Sequence, residues 1–520
     1  MVVELPLDHH CPWRELCEQM RGRLEGLGEI VAAQQTLLAE QRELGQEREA
    51  QHQALDAKIA ELERRLLGPS SEKLPPIERE LDQELSEEER ARRREQAAAK
   101  RRERTAARKT SMPTERTEHP VADADKHCPV CGGATGVFSR IGFKESTTYD
   151  YVPGHFVRRV HARETVACRC GQCVLTAPVP DKVTERGLYE SGFIAWLVVS
   201  KCVDSLPIYR VEKQLGRLGV PISRSTMNDL LHQAAEALGP LVARLRERIA
   251  QMPVVLADET SIKIADRKKR GFVWVFHGRD PETDQELALY VLATTRSGET
   301  PVQILGGTEG TLLVDGYTGY NDVTDPEGRG RGGCWSHSRR RFFAARETAP
   351  EDANEAMATI RKLFRIEHDA FEREVVRTPA HQRMRDERSR PILEAFREWL
   401  TRKRHEYLPK SPMGQAIGYT LRQWPRLTHF LQDPRIPIHN NASESRLRVV
   451  ALGRKNFMFV GHPKAGRNIA ALYSILGSCI SCGVEPTAYL TDVLPRVCHA
   501  TTPAELDALL PDRWIPRSSN

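Results

Sequence analysis

Apolar positions divide the chain into segments of different period. Between residues 20 and 67, Leu24, Leu27, Val31, Leu38, Leu55, Ile59, Leu62 and Leu66 recur at a/d-like spacing among charged residues, which predicts a helix that pairs with a second helix as a coiled coil. Gly45, Arg48 and His52 interrupt the seam, so a lone amphipathic helix packed on its own domain remains the alternative. Residues 147–152 alternate as in a β-hairpin. A helical run ending at Leu218, a turn at Gly219-Val220-Pro221, and a second helix capped by Ser223 and Ser225 and continuing to about Leu238 follow helix-turn-helix grammar. Three strand-like runs come next, at 253–257, 272–278 and 287–294, then a short helix at 301–305 and a fourth strand at 311–314. Residues 355–376 and 391–407 are charged and helical. After them, His439 to Arg448 reads as polar cap residues opening a helix.

Two of those strands end in an acid. Asp258 closes the run at 253–257, and Asp315 closes the run at 311–314 and opens Gly316-Tyr317-Thr318-Gly319-Tyr320-Asn321. Glu444 lies in the first turn of the helix after Asn440-Asn441. All three sit among Arg and Lys, and acids in such surroundings would repel a phosphate backbone unless a divalent cation inverted the local charge. Magnesium or manganese suits a few carboxylates plus substrate phosphates. Two such ions roughly 4 Å apart serve in-line phosphoryl displacement.

The chain has 520 residues, which predicts several domains. Net charge is only +6, yet Lys and Arg number 77 and are clustered, so a polyanion is the expected partner. No apolar run of about 18 residues and no signal-peptide pattern occur, which predicts a cytoplasmic, nucleoid-associated protein with no membrane contact. The 12 cysteines are too few for a disulfide framework. Cys128 and Cys131 form one knuckle and Cys170 and Cys173 a second, and four thiolates close a structural zinc site, with Cys168 as an alternative ligand. Cys334 and His337 are spaced as a metal pair, but two ligands do not make a site, and packing beside the second acidic strand is expected, with Trp335 filling the core. Cys479 and Cys482 read as one face of an apolar helix. Arg224, at the start of the second helix of the helix-turn-helix, together with Arg339, Arg340, Arg446, Arg448, Arg454 and Lys455, are the expected contacts to DNA.

Several blocks in order resemble the insertion-sequence-66 family of bacterial transposases. They are Ser70-Ser71-Glu72-Lys73-Leu74, the Cys128/Cys131 knuckle, Ser200-Lys201 through Ser225-Thr226, Asp258-Glu259-Thr260, Asp315-Gly316-Tyr317, Cys334 through Arg340, Asn440-Asn441 with Glu444, and Leu452-Gly453-Arg454-Lys455-Asn456. His439 stands where the family usually has an acid, and Ser445 where it has Arg. The resemblance implies a multidomain α+β and α/β chain with an Asp-Asp-Glu site (Asp258, Asp315, Glu444) on a ribonuclease-H-like core. On that reading residues 1–67 form an N-terminal helical, coiled-coil segment, 68–118 a charged linker, 119–180 a zinc-binding ribbon and 181–245 a helix-turn-helix DNA-binding region. The catalytic core occupies 246–347 and 434–478 around a helical insertion at 348–433, and a helical segment at 479–520 ends the chain. The implied reaction is hydrolysis at the ends of an insertion sequence followed by 3′-hydroxyl attack on target DNA. Double-stranded DNA with terminal repeats, homo-oligomerisation through the coiled coil, and small accessory proteins would be the partners. A catalytically silent or domesticated DNA-binding repressor and a structure-selective nuclease of the same fold are the rival readings.

Overall fold

The computed structural model describes residues 187–517 apart from 266–268, 325–327 and 458–459, together with parts of 13–111 and of 154–183. Two units emerge, Met1–Pro75 and Pro76–Asn520. In the first, residues 17–24 and 32–38 are helical, and Met20, Leu24, Leu37 and Leu38 are exposed. Leu27, Val31, Leu55, Ile59, Leu62 and Leu66, which carry the rest of the expected coiled-coil seam, lie outside the described residues.

In the second unit, α1 (Glu87–Ser111) occupies much of the segment read as linker. It starts with a capping box, since Glu89 N donates to Ser86 Oγ at 3.2 Å and Ser86 N to the Glu89 carboxylate at 2.9 Å. A short hairpin follows, β1 (Thr165–Ala167) with β2 (Val174–Thr176). Four helices then lead into the sheet: α2 (Ser191–Cys202), α3 (Ile208–Arg217), α4 (Arg224–Ala237) and α5 (Gly239–Gln251). Between α3 and α4 the chain turns at Gly219, whose φ of 77° favours glycine. Ser223 Oγ caps α4 by accepting from Thr226 N at 3.1 Å.

The central sheet has the order β5-β4-β3-β6-β7. Strands β3 (Val254–Ile264), β4 (Lys269–Arg279) and β5 (Glu286–Ala293) form an antiparallel meander. Helix α6 (Glu299–Leu305) then crosses over so that β6 (Thr311–Leu313) pairs parallel to β3, with β7 (Gly330–Gly332) parallel beyond it. Residues 254–257 are all buried, as a strand covered on both faces requires. The edge strand β5 is closed by α15 (Pro463–Ser481), because Ser474 Oγ and Ser478 Oγ accept from the amides of Tyr290 and Ala288 at 2.7 and 3.0 Å. An edge satisfied by side-chain hydroxyls cannot recruit another strand.

Two buried arginines lock this core. Arg248 of α5 pairs with Asp280 at 2.6 Å and Asp512 at 2.7 Å, joining the β4–β5 turn to the C-terminal segment. Arg329, fully buried, donates to Ala250 O at 3.1 Å, to Met252 O and to Thr308 Oγ1, so it satisfies carbonyls left open at the end of α5. The one-turn α7 (Asn321–Thr324) precedes β7, and between β7 and the last part of the core lie α8 (Trp335–Ala345), α9 (Pro350–Glu372), α10 (Pro379–Met384), α11 (Arg390–Lys403), α12 (Pro412–Arg422) and α13 (Trp424–Leu427). Helix α14 (Asn441–Phe457) returns to the sheet and carries Glu444 in its first turn. Helices α16 (Pro486–Val497) and α17 (Pro503–Leu509) finish the fold.

Candidate active site

Strand register brings the two aspartates together. In the parallel pair, Val254, Val255 and Leu256 stand opposite Thr311, Leu312 and Leu313. Asp258 lies two residues past Leu256, within β3 opposite Val275, and Asp315 two past Leu313, just beyond the end of β6, so both stand at the same level on neighbouring strands and with the same face parity. Each carboxylate is held locally: Asp258 Oδ1 accepts from Glu259 N at 2.8 Å, and Asp315 Oδ1 from Tyr317 N at 2.9 Å.

Glu444 arrives on α14, and α14 is fastened to β3 at both ends. Buried Asn440 donates from Nδ2 to the carbonyl of Ala257, the residue before Asp258, at 2.7 Å. Near the other end, Arg454 donates to Ser261 O and, at 3.3 Å, to Thr260 Oγ1. Behind Asn440 runs a buried chain that sequence reasoning missed. Ser443 Oγ donates to Asn440 Oδ1 at 2.6 Å and lies 2.8 Å from His277 Nε2, while His277 Nδ1 is 2.8 Å from Glu286. Glu286 in turn pairs with Arg446 at 2.7 Å. Residues 443 and 446 flank Glu444, so this chain fixes the turn from which Glu444 projects. Burial alone would raise the Glu286 carboxyl, but His277 and Arg446 hold it down at about 2.

Asp258 is a half-buried acid beside other acids. Burial pushes its carboxyl up to about 7, the nearby charges of Glu259, Asp315 and Glu444 add to that, and the Glu259 amide opposes it. Glu444 is turned toward Arg340 at 3.5 Å and His337 at 4.0 Å. Among the described residues, no three His, Cys, Asp or Glu side chains stand close enough to hold one metal ion. Rotation of Glu444 away from Arg340 would therefore be needed for all three acids to share a site. The all-oxygen donor set fits Mg²⁺ or Mn²⁺, and the raised Asp258 carboxyl is what a cation there would relieve.

Glu259 faces elsewhere and is itself nearly buried, at 3% side-chain exposure. It accepts from Arg296 and, at 2.7 Å, from Tyr320 Oη, while the Arg296 guanidinium lies 4.0 Å from the Tyr317 ring. This cluster braces the loop after Asp315. Arg331 on β7 does so from the other side, donating to the carbonyls of Asp315 and Tyr317. Gly330-Arg331-Gly332 carries no strand signal in sequence, and β7 was not anticipated.

The expected DNA contacts have varied surroundings. Arg224, Arg340, Arg448 and Lys455 are exposed, with Arg224 3.2 Å from Glu212. Arg446 and Arg454 are half-buried in the contacts above. Arg339 is buried and paired with Glu80. Cys334 is buried with its Sγ 3.2 Å from Asn440 N, and Trp335 is fully buried, donating to Leu427 O at 2.8 Å. Cys479 is buried on α15. The expected zinc ligands Cys128, Cys131, Cys170 and Cys173, and the alternative Cys168, lie outside the described residues. No helix among the described residues is long and apolar enough to cross a membrane.

Comparison with known proteins matches three successive stretches of the chain. Residues 186–468 match the family described as Transposase IS66 family, residues 125–171 its zinc-finger binding domain, and residues 474–511 the IS66 C-terminal element. The zinc-finger match takes in Cys128, Cys131, Cys168 and Cys170 and stops short of Cys173. Among curated relatives, Uncharacterized protein y4jD of Sinorhizobium fredii (strain NBRC 101917 / NGR234) is 31% identical over 406 residues, covering 74% of this chain and 78% of the relative. Uncharacterized protein y4hP of the same strain is 28% identical over 497 residues, covering 89% of this chain and 88% of the relative. With more than half its length matched by the transposase family and both flanking elements in order, the chain belongs to the IS66 family of transposases.

Proposed function

We propose that this protein cuts the ends of an insertion sequence and joins them to target DNA, with Asp258, Asp315 and Glu444 as its metal-binding carboxylates on a ribonuclease-H-like core. The observation that carries this reading is the β3–β6 register, which sets Asp258 and Asp315 side by side, with the Glu444 helix tied by Asn440 to the carbonyl next to Asp258. An antiparallel meander joined to a parallel strand at its first member is the sheet such a core requires. Bound there, Mg²⁺ or Mn²⁺ supplies activation of the attacking oxygen and charge stabilisation of the leaving one.

The chain's own residues then have these tasks. Asp258 and Asp315 hold the site from the sheet, and Glu444 closes it from α14 after leaving Arg340. Arg340, released, takes a non-bridging oxygen of the scissile phosphate. In the first step water forms the new P–O bond and the element's 3′ oxygen leaves. In the second, that 3′-hydroxyl forms a P–O bond to target DNA and a target 3′ oxygen leaves, with no covalent link to protein. The α3–α4 pair reads DNA as a helix-turn-helix, a zinc ribbon at 119–180 assists it, and the N-terminal coiled coil pairs protomers so that two element ends are held together.

Calorimetric titration with Mn²⁺ tests the site without relying on turnover. The wild-type chain binds Mn²⁺, and Asp258→Ala, Asp315→Ala and Glu444→Ala weaken that binding while duplex DNA binding persists. Unchanged Mn²⁺ affinity in all three variants would remove the assignment.

A further inference from the structure

A basic cleft lies in the helical region between β7 and α14. A cavity of about 300 Å³ opens between α9 and the start of α11, with Ile366 and Ile392 in its floor and Arg361, Lys362, Arg365 and Arg388 around its rim. Arg388 is set there by a turn of π-helix, Arg385–Ser389, a distortion that is frequent at functional positions. That turn is anchored by Arg385, which grips both oxygens of Glu367 at 2.8 and 2.6 Å and donates to the carbonyls of Phe430, Asp433 and Ile436 at 2.7, 3.0 and 2.9 Å. Asp369 of α9 pairs with two of these cations, Arg388 at 2.7 Å and Arg365 at 3.4 Å, while Lys362 is exposed. The rim keeps an excess of cations around an apolar floor, which suits a nucleic-acid backbone, with phosphates on the rim and sugar faces on the floor.

An acidic stretch from the N-terminal side already engages part of this rim. Ile77 and Leu81 are buried, at 5% and 3% exposure. Between them, Glu80 pairs with Arg361 at 3.7 Å and with Arg339 of α8, whose neighbour Arg340 touches Glu444. Glu89 lies 3.5 Å from Arg365, which also donates to Leu81 O at 3.5 Å. The carboxylates therefore stand where backbone phosphates would bind.

We propose that the α9–α11 cleft is a binding track for the phosphate backbone of duplex DNA, and that the segment around Glu80 and Glu89 is an acidic strap competing for the same arginines. The proposal rests on the DNA-binding reading above and adds to it a site on the insertion and a device that limits access to it. The two halves predict effects of opposite sign. Lys362→Gln and Arg388→Gln remove phosphate contacts, whereas Glu80→Gln with Glu89→Gln removes the competitor.

The test is the affinity of the full-length chain for a labelled random-sequence duplex, measured over a range of salt concentrations. Each lost phosphate contact reduces the slope of log affinity against log salt by about 0.9, so Lys362→Gln flattens the slope by about one. The Glu80→Gln/Glu89→Gln chain binds roughly ten-fold more tightly near 0.1 M salt, since the part-exposed Glu80–Arg361 and Glu89–Arg365 pairs are each worth up to a few-fold and both are released. Lys362 is exposed, so its substitution leaves folding unaffected even if the strap variant unfolds. Wild-type binding with no change of slope in Lys362→Gln and Arg388→Gln overturns the track, and weaker binding by the folded strap variant overturns the competition. A wild-type chain that binds no duplex would overturn the DNA-binding reading itself, and retention of polyglutamate in preference to DNA would reassign the cleft to an acidic protein.

Discussion

Replacing Ser443 by Ala removes one hydroxyl from the buried chain behind the candidate active site. That hydroxyl is fully buried and serves two partners, Asn440 Oδ1 at 2.6 Å and His277 Nε2 at 2.8 Å. The methyl group fills nearly the same space, so the loss is polar rather than a cavity. Each buried polar atom left without a partner costs about 1–3 kcal/mol, which gives a destabilisation of about 2–6 kcal/mol for the two together. Against a typical stability of about 5–15 kcal/mol the middle of that range leaves a folded protein. Asn440 also loses the contact that orients its amide toward Ala257 O, so the first turn of α14 loosens next to Glu444. Loss of such outer-shell support typically costs about 10–100-fold in metal affinity or activity. Urea unfolding at constant m-value measures the first effect, and element-end cleavage at saturating DNA measures the second. Stability within about 0.5 kcal/mol of wild type, together with an unchanged cleavage rate, would refute the claim that this hydroxyl carries the link.

Other substitutions probe separate parts of the account. Arg248→Ala removes the cation between Asp280 and Asp512, whose side chains are 7% and 0% exposed and keep only Arg513 at 4.0 Å from Asp512 and hydrogen bonds from Thr283 and the Glu282 amide, and it should cost about 3–5 kcal/mol in urea unfolding. Glu286 is held at about 2, below its ordinary value, so its contribution is fully present above the unfolded carboxyl range and is lost as pH falls from about 4.5 toward 2. That contribution is about 1–3 kcal/mol after allowance for its partial exposure, and Glu286→Gln should flatten the acid limb of the stability profile over this window. Asp258→Asn removes a charge that burial and neighbouring acids disfavour, so the metal-free protein should melt higher at pH 8 while Mg²⁺ no longer raises its midpoint. Zinc analysis of the purified chain should give one Zn²⁺ per protein, lost in Cys128→Ser. Comparing Cys168→Ser with Cys173→Ser identifies the fourth ligand.

What the sequence revealed of the site was local, and what it hid was long-range. Asp258 and Asp315 were legible because each ends a short apolar run, and Glu444 because capping residues precede it. The meeting of the two aspartates depends on the Val254–Thr311 register, which becomes readable only once a helix is recognised as a crossover between parallel strands. Asn440 could be seen as part of a motif, but its anchor, the carbonyl of Ala257, lies far along the chain. His277 reads in sequence as one more strand residue, and its role comes from Glu286 across the β4–β5 turn and Ser443 on α14. Strand β7 was invisible because glycines flank Arg331, and it is the buried contacts of that arginine, not β propensity, that hold it beside β6. Arg339 carries the charge of a DNA contact, yet its burial against Glu80 depends on a segment read as linker.

The most direct test of the central claim uses purified protein and labelled DNA bearing the element's terminal repeats, assayed for nicking and for joining to a plasmid with Mg²⁺ or with EDTA. The account predicts metal-dependent cleavage and joining by wild type, and intact DNA with retained binding for Asp258→Ala. Cleavage by the Asp258→Ala protein at the wild-type rate would contradict it.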